Sequence, residues 1–572
     1  MIKSLNYMYN REYLNLPSFI IITFLAGTTL MYGDYFSCNN ILYRNYIYII
    51  LAFVITIYLL FKSNYLINIS YVSAGITLFL FYILLWNIKP YNIRTLYLFS
   101  SIILLQSLLN ININEDKTTK ILIPFCYILV LICLMQCLNI FPRKHQTLIT
   151  GTFDNPSGVS LFLTSCTPFL YSTFLKHKEH YKLILIILVW AIVITIGSRA
   201  GIISLSIISL LFLLKKKIIR ITRRNLIIGL LCTLPIIILL LFAKSESTYG
   251  RFLIYKLTLS LAFEDVFWGK GIYGFTANYM NKQEEFFRNN PDSIFCNFAG
   301  ITLHPLNEYL LFFVQYGLVG LALLLMIIFN LKRIFNMNVF TYYLCIINIA
   351  IQSCFTYSLR YSFIWFFIIL CLSQIIKGTI KEYNFILSSY LRIICLIILS
   401  FFSHLFYKDI SFEYYCGSLL KNTYTKTYAF RNIEEYPKLL KAWNGNPFFF
   451  YNYSVALRAD QQYKESNKII NLYNIYISDY HGILLQAKNY FSSKQYELAL
   501  KYYHKAYYMC PNRFIPLQGI MKSNHELGDI KAAIKSAYLI MNKKEKIKSY
   551  NTALIKKEAD NYLKLYDNEN YL

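Results

Sequence analysis

Residues 303–320 read LHPLNEYLLFFVQYGLVG, a short polar cluster that runs directly into a long apolar stretch. The cluster contains His304, Asn307 and Glu308. A run of about 20 apolar residues matches the roughly 30 Å hydrocarbon core of a bilayer. The segment therefore predicts a membrane helix with a titratable histidine at its water-facing end, a position better suited to proton chemistry than to packing.

Apolar runs of this kind recur along the whole chain. Of its 572 residues, 56% are hydrophobic and 15% are charged, and the mean hydropathy is +0.43. Soluble domains do not carry so many apolar runs, so we predict an all-α, polytopic membrane helical bundle of about 12–13 spans. The first run lacks a small-residue cleavage site and is expected to be a retained helix. The predicted spans lie near 18–33, 46–62, 66–87, 95–110, 121–140, 158–175, 182–197, 200–214, 225–243, 307–330, 339–357, 361–376 and 390–407.

The strongest orientation signal is the segment 215–224, which places six Lys and Arg residues between two predicted spans. Cytoplasmic loops are enriched in such cations, so this segment is predicted to be cytoplasmic. Alternation then puts loop 141–157, the turn 197–201, the large loop 244–306 and everything after 407 outside. We therefore predict an inner-membrane protein with a periplasmic outer loop and C-terminal domain. The formal net charge of +27 is explained by topology signals and a basic tail, not by nucleic acid.

Three domains are predicted: N-terminal transmembrane helices at 1–110, a membrane core at 111–407, and a soluble helical repeat domain at 408–572. The last domain matches the tetratricopeptide spacing, in which a 34-residue period reflects two packed helices. It predicts an α-solenoid that binds a partner or supports the neighbouring loop, with an irregular helical bundle as the alternative. Cys416 and Cys510 are candidates for a disulfide in this tail. The residues at the small, aromatic and proline positions are Ala487, Tyr490, Ala499, Tyr503, Ala506 and Pro511.

Two sequence patterns match known motifs in form only. Residues 269–274 satisfy GxGxxG, but a dinucleotide site needs a preceding buried strand and a following helix in a βαβ unit. We predict instead that these glycines let the loop turn tightly and lie against the membrane surface. His304 lacks the second histidine of a zinc-protease motif. It is predicted either to cap the helix that starts near Asn307 and Glu308 or to act as a base toward a hydroxyl.

Several cations lie on the side predicted to be outer. Arg199, in the turn Gly197–Gly201, and Arg251, at the start of the outer loop, are expected to meet an anionic partner or to snorkel to the interface. Arg143 also lies outside, and an anionic lipid head group would account for it. Asp154 or Asn155 is predicted to cap the helix that follows them, and a helix N-terminus also suits a phosphate or sugar hydroxyl.

Taken together, these segments resemble the O-antigen ligase and polymerase superfamily. Their order, spacing and shared face carry the resemblance, which covers about residues 90–380. The C-terminal repeats, with residues 446–453 and 509–514, look like a Bacteroidota branch of that group. The matching segments are GTFDNPSG at 151–158, GSRAG at 197–201, GR at 250–251, GKGIYGF at 269–275, HPLNEY at 304–309 and GLVG at 317–320.

The resemblance implies an integral-membrane, inverting glycosyltransferase that passes a glycan from undecaprenyl diphosphate to a hydroxyl of lipid A core, another glycan or a protein. It implies that Arg199 binds the diphosphate, that Arg251 opens the outer loop and that His304 is the base. No metal and no cofactor are expected, because arginines can neutralise the diphosphate. An envelope protein is a further expected partner through the tail. The residues predicted to bind substrate are Arg143, Asp154, Asn155, Asn307 and Glu308.

Other functions remain open at this stage. A polymerase would join glycan to glycan, and a protein O-oligosaccharyltransferase would modify protein. A flippase would need ionisable residues midway through several spans, and these are nearly absent from the sequence. A membrane-anchored scaffold of tetratricopeptide repeats would need the tail but neither His304 nor Arg199.

Overall fold

The structure, a computed structural model, falls into two compact units. Unit 1 comprises Met1–Leu240, Leu306–Glu308 and Ala322–Tyr414, and unit 2 comprises Leu241–Pro305, Tyr309–Leu321 and Tyr415–Leu572. This partition follows packing, whereas the three predicted domains follow chain order, and those domains stay a prediction. The residues that the structure describes are 16–30, 39–61, 66–87, 93–111, 113, 115–143, 149–215, 245–379, 383–424, 433–441, 443, 445–545 and 549–567.

Unit 1 is built from apolar helices. Twelve of the thirteen predicted spans coincide with a helix, whereas 225–243 and most of the basic segment 215–224 lie outside the described residues. The helices are α1 Leu16–Thr29, α2 Asn39–Phe61, α3 Tyr71–Asn87, α4 Ile93–Leu109, α5 Glu115–Cys137, α6 Pro156–His177, α7 His180–Thr195, α8 Arg199–Lys215, α11 Glu308–Arg333, α12 Phe340–Ser353, α13 Ser362–Thr379 and α14 Ser389–Tyr424. The last part of α14 and the first part of α11 belong to unit 2.

The helices fit a multi-pass membrane protein, as the composition predicts. Five described helices are long and apolar enough to cross a membrane, within α2, α5, α6, α11 and α14. Seven further described helices are apolar and shorter. The predicted helical membrane protein is therefore confirmed at the level of fold class.

One predicted span begins with a strand rather than a helix. Leu66–Ile69 forms β1, which pairs antiparallel with β2, Tyr383–Ile386, in the register Leu66 to Ile386. The predicted span at 66–87 is therefore wrong at its first residues, and its helix starts at Tyr71. Periodicity alone does not distinguish a strand from a helix in a short apolar run. Here the pairing of Leu66 with Ile386, 320 residues later, makes the segment a strand.

The basic end of α6 has its own acidic partners. The Lys176 ammonium lies 2.5 Å from a carboxylate oxygen of Asp116, in the first turn of α5. Lys182, at the start of α7, lies 2.7 Å from Glu179. This end of unit 1 carries the cations that the sequence assigns to the cytoplasm, and the opposite end of α6 carries the residues described in the next section.

Unit 2 combines the predicted outer loop with the C-terminal tail. Its elements share one hydrophobic core, in which Phe275, Tyr279 and Phe287 of the loop are fully buried with Ala506 and Met509 of the tail. Its helices are α9 Ser245–Ala262, α10 Gly274–Asn289, α15 Glu435–Leu440, α16 Phe448–Ala459, α17 Tyr463–Tyr476, α18 Tyr480–Ser492, α19 Tyr496–Met509, α20 Ile515–Glu526, α21 Ile530–Asn542 and α22 Tyr550–Tyr566.

The tail repeats with the period that the sequence predicts. The turns that join α16 to α17, α18 to α19 and α20 to α21 each contain a residue with positive φ, at Gln461, Lys494 and Gly528. These residues are 33 and 34 apart, and consecutive helices pack on each other. The predicted small positions Ala487, Ala499 and Ala506 are fully buried. The helical hairpins are thus observed, and their assignment as tetratricopeptide repeats stays a prediction. Cys416 and Cys510 are both free thiols.

Helix α11 is broken at Gly317, which has a φ of 60° and a ψ of −161°. The sequence predicts one continuous span here, so the break is a correction to that prediction. The loop before α10 fills the break with backbone hydrogen bonds: Leu318 N donates to Val266 O at 2.8 Å, and Lys270 N donates to Val314 O at 2.8 Å. These bonds pair backbone groups that an interrupted helix would otherwise leave unsatisfied.

The glycines of the GxGxxG pattern serve this backbone packing. A Cβ on Gly269, whose φ is +77°, would lie 2.6 Å from the backbone of Gln315. A Cβ on Gly317 would lie 2.3 Å from the carbonyl oxygen of Phe267. The loop turns tightly, as predicted, but in unit 2 it lies against the broken helix.

Replacing Gly317 with alanine is expected to destabilise the protein strongly. The backbone conformation at this position is essentially restricted to glycine, which alone costs about 1–3 kcal/mol, and the Cβ clash with a carbonyl adds to that cost. The thermal midpoint of the purified protein in detergent and its level in the membrane measure the effect. Gly300→Ala is the matched control, because its Cβ would meet no atom within 4 Å. Equal midpoints for the two variants would contradict the prediction.

Candidate functional site

The N-terminal end of α6 is held in place by two polar side chains. Asn155 caps the helix, since its Oδ1 accepts from Ser157 N at 3.0 Å. The buried Gln136 amide fixes the preceding turn: its Oε1 accepts from Gly151 N at 2.8 Å, and its Nε2 donates to Gly151 O at 3.0 Å. The predicted capping role of Asn155 is therefore confirmed, and Asp154 lies directly beside this cap.

A second loop of unit 1 meets this end through two tyrosines. The Tyr361 hydroxyl donates to Asp154 Oδ1 at 3.2 Å, and the Asn155 amide donates to the Tyr357 hydroxyl. Burial raises the pKa of both phenols, and the Asp154 carboxylate raises each pKa further. Both tyrosines consequently stay protonated near neutral pH and act as neutral hydrogen-bond groups around the carboxylate.

Glu308 ties the polar cluster at the start of α11 to the same loop. Its Oε1 accepts from Leu359 N at 2.9 Å, and its side chain is buried. Leu306 has a φ of +56°, a conformation that is rare for leucine. A strained backbone conformation persists only where the surrounding structure stabilises it, and such conformations are concentrated at functional sites. Asn307, between these two residues, is partly buried.

Arg44 brings a buried guanidinium to the same end of unit 1. Its Nη2 donates to Thr152 O at 2.8 Å, and its Cζ lies 4.4 Å from the centre of the Phe153 ring. The Asp154 carboxylate acts electrostatically on it. Arg44 is only 3% exposed, and a buried charge near a membrane needs such partners. Arg360 adds an exposed cation at the rim, stacked 5.7 Å from the centre of the Tyr357 ring.

The turn that carries Arg199 packs directly on α6. A Cβ on Gly201 would lie 2.1 Å from Ser160 Oγ and 2.8 Å from a methyl carbon of Val193. Only glycine allows this approach, so the start of α8, two residues after Arg199, packs closely on Ser160 of α6. Arg199 is itself the first residue of α8, where a helix dipole disfavours a cation. A helix N-terminus of this kind is a favourable place for an anion.

In unit 2, the first turns of α9 carry Arg251. This part of α9 packs on the short 3₁₀ helix Ile294–Phe298, with Tyr249 stacked on Phe298 at 5.3 Å between ring centres. The Nε of Arg251 is buried and makes no hydrogen bond to any residue that the structure describes. A buried donor without a partner on a charged group is costly.

The segment that leads to His304 is held by the tail of unit 2. Asn512 Nδ2 donates to Ala299 O at 2.7 Å. Gln283 Nε2 donates to Gly300 O at 3.2 Å and to Met509 O at 2.5 Å. The backbone five residues before His304 is therefore positioned by the loop between α19 and α20.

The fold and this polar, arginine-bearing end of the bundle define a multi-pass membrane protein with a candidate anion site. Residues 183–325, about a quarter of the chain, match the family described as O-antigen ligase. The match supports the O-antigen ligase superfamily, an enzyme family, and a membrane function of the ligase or polymerase type. It includes Arg199, Arg251 and His304. No curated protein and no solved structure matches the chain.

The predicted site residues fall into two groups. Arg199, Asp154, Asn155, Asn307 and Glu308 belong to unit 1, whereas Arg251 and His304 belong to unit 2. Their catalytic and substrate-binding roles stay predictions.

Arg143 occupies a different position in unit 1. Its Nε donates to Gln136 O at 2.8 Å at the end of α5, where a cation suits the helix dipole. This contact accounts for Arg143 without a lipid, and its predicted role in substrate binding stays a prediction.

The residues that sequence reasoning missed are Arg44, Tyr357, Arg360 and Tyr361. A lone arginine within an apolar run was a usable signal for Arg44. Nothing in the sequence distinguished Tyr357 and Tyr361 from the other tyrosines, of which the chain has 52 in all.

Proposed function

We propose that this protein is a membrane glycosyltransferase that transfers an undecaprenyl-diphosphate-linked glycan to an acceptor hydroxyl on the extracytoplasmic face. The observation that carries the proposal is the close approach of Gly201 to Ser160 of α6, two residues after Arg199, which begins α8. A helix N-terminus and a guanidinium both suit a phosphate ligand. The family match over 183–325 supports the same class of reaction.

The reaction is a single displacement at the anomeric carbon of the donor sugar. The acceptor oxygen forms a bond to that carbon while the bond from the carbon to the phosphate oxygen breaks. The diphosphate leaves with the electron pair, and the acceptor proton passes to a ring nitrogen of His304. A single displacement of this kind inverts the configuration at the anomeric carbon.

Arg199 and Arg251 stabilise the charge that develops on the leaving diphosphate. Arginine stays charged and binds phosphate with two parallel hydrogen bonds. A preorganised donor of this kind contributes typically about 3–4 kcal/mol to transition-state stabilisation. The buried Nε of Arg251, which has no partner among the described residues, is a donor ready for such a ligand.

The Asp154 carboxylate and the neutral polar side chains beside it are suited to hydrogen bonds with a sugar hydroxyl. The carboxylate accepts from Tyr361 and lies beside Asn155, so further hydroxyl donors of a glycan find an acceptor there. Arg44 holds this loop through Thr152 O and balances the charge of the carboxylate. We assign Arg44 a positioning role and Asp154 a role in glycan binding.

Mass spectrometry of surface glycans and carrier lipids from a deletion strain tests the proposal. A ligase defect leaves polymer on the carrier lipid, and a polymerase defect leaves single repeat units. Loss of modified protein alone would indicate a protein O-oligosaccharyltransferase. Unchanged glycans and carrier lipids would overturn the proposal.

Gly201→Ala is expected to lower transfer by about 100-fold, because a shift of about 1 Å in a positioning group has that effect on rate. The new Cβ would meet Ser160 Oγ and push α8 away from α6. Ser160→Ala removes that oxygen and should restore part of the activity, whereas the contact with Val193 persists. Transfer rates of both single variants and the double variant, at equal membrane levels, measure this. Absence of any rescue would contradict a direct contact between these residues.

A further inference from the structure

The tail of unit 2 presents two different faces. The loop helix α10 packs on α17 and α19, the second helices of their hairpins. The first helices, α16, α18, α20 and α22, contact one another in succession. We call the surface formed by these four first helices the A face. Loop helix α10 packs on the second helices of the hairpins, so we take the A face as the candidate surface for a ligand.

The A face carries two cations that lack an acidic partner. Arg458 of α16 donates from Nη1 to Asn489 Oδ1 at 2.8 Å and from Nη2 to Ser492 Oγ at 3.3 Å. Both acceptors are neutral side chains of α18. Lys488, also on α18, is partly buried and makes no hydrogen bond or ion pair with the residues that the structure describes.

Burial lowers the pKa of the Lys488 ammonium, and the neighbouring Arg458 guanidinium lowers that pKa further. Burial likewise lowers the pKa of Arg458, against the opposing effect of Tyr503 and Tyr463. No carboxylate of the described chain contributes to either shift. Two desolvated cations side by side are unfavourable unless an anion joins them.

In the next repeat, the equivalent lysine has an acidic partner. Lys522 of α20 stands 34 residues after Lys488, at the same position of its hairpin. Its ammonium lies 2.7 Å from Glu558 of α22, and that carboxylate also accepts from Gln518. The cation of one repeat is thus paired with a carboxylate of the chain. At Arg458 and Lys488, a carboxylate of a ligand could take the corresponding position.

We propose that Arg458 and Lys488 on the A face bind the carboxylate of an acidic sugar in a glycan chain. Guanidinium binds carboxylate through two parallel hydrogen bonds, and the Tyr463 ring, 5.7 Å from the Arg458 carbon, offers an apolar surface for a sugar ring. The choice of a glycan rests on the proposed function, because the tail shares one core with the loop that carries Arg251. The site would hold a charged residue of the substrate or product chain while transfer occurs elsewhere.

Binding of an oligogalacturonate of about six sugars to the full-length protein in nanodiscs tests this, with maltohexaose as the neutral probe of equal length. We expect the oligogalacturonate to bind and maltohexaose not to bind. Binding should weaken with added salt, as for any exposed charge pairing. Arg458→Gln and Lys488→Gln should each weaken binding about tenfold or more, which corresponds to the loss of one charged contact.

Two variants serve as matched controls. Lys522→Gln should leave binding nearly unchanged, because that ammonium is already paired. Glu558→Gln frees Lys522 and should strengthen binding. Equal thermal midpoints of all variants would show that each one folds.

Lack of oligogalacturonate binding, or binding that Arg458→Gln and Lys488→Gln leave unchanged, would overturn the site. Equally tight binding of a hexaglutamate peptide that competes for the site would overturn its assignment to a glycan. Because binding is measured without transfer, an active Arg199→Ala variant would overturn the proposed function and leave this site standing.

Discussion

Arg199→Ala is expected to abolish glycan transfer while the protein still inserts into the membrane. Arg199 is the first residue of α8, and under the proposed function its loss removes a charge that offsets the leaving diphosphate. Removing one preorganised donor costs about 10²–10³ in rate, and removing a full charge costs at least as much. Arg199→Lys should recover only part of the activity, because lysine keeps the charge and loses the two-pronged geometry.

A reconstituted assay with lipid-linked glycan in proteoliposomes measures this effect. Arg333→Ala is the matched control, since Arg333 is an exposed arginine in the last turn of α11 and lies in no proposed site. The control should transfer at the rate of the unchanged protein. Full activity of Arg199→Ala in that assay would remove the mechanism.

Deletion of residues 433–572 is expected to unfold the outer loop as well as to remove the tail. Phe275, Tyr279 and Phe287 of the loop are fully buried in the core that they share with the repeats. Burial of each such side chain is worth about 1.5–3 kcal/mol, so their joint exposure approaches the total stability of a domain. Loss of the bonds from Asn512 and Gln283 would also release the backbone before His304.

Limited proteolysis and hydrogen exchange of residues 245–305 in the membrane-embedded protein report on this unfolding. Removing only 549–572 is the control: α22 contributes Ile555 and Ala559 at the far end of the same core, and the loop should stay protected. Asn512→Ala is a milder version and should raise exchange locally at 297–300. A loop that stays protected after the larger deletion would show that it folds without the repeats.

The membrane helices could be predicted because their signal is local. A run of apolar residues specifies a helix in lipid without reference to the rest of the chain, since the backbone must satisfy its own hydrogen bonds there. Twelve of the predicted spans coincide with described helices. The repeat period was equally local, because each hairpin repeats its small residues, such as Ala499 and Ala533, at 34-residue intervals.

The features that the sequence did not reveal depend on distant partners. The break at Gly317 exists because the segment 266–271 supplies hydrogen bonds some 50 residues away in the chain. Glycine is common in membrane helices, so the presence of Gly317 does not by itself predict a break in the helix.

Only some residues of the candidate site could be predicted from the sequence, for the same reason. Arg199 and His304 stood out because their residue type is unusual at their position. Tyr357 and Tyr361 became part of the site through hydrogen bonds to residues about 200 positions earlier. Arg44 lies just before the predicted span 46–62, and its contact with the loop at Thr152 could not be predicted from the sequence.

The core shared by the loop and the repeats constrains how such chains are recombined. An engineer who wishes to change the acceptor by transplanting residues 245–300 from a related chain would leave Phe275, Tyr279 and Phe287 facing a foreign set of repeats. Residues 245–300 and 445–567 therefore form one exchangeable cassette, and natural variants of the two segments are expected to be inherited together.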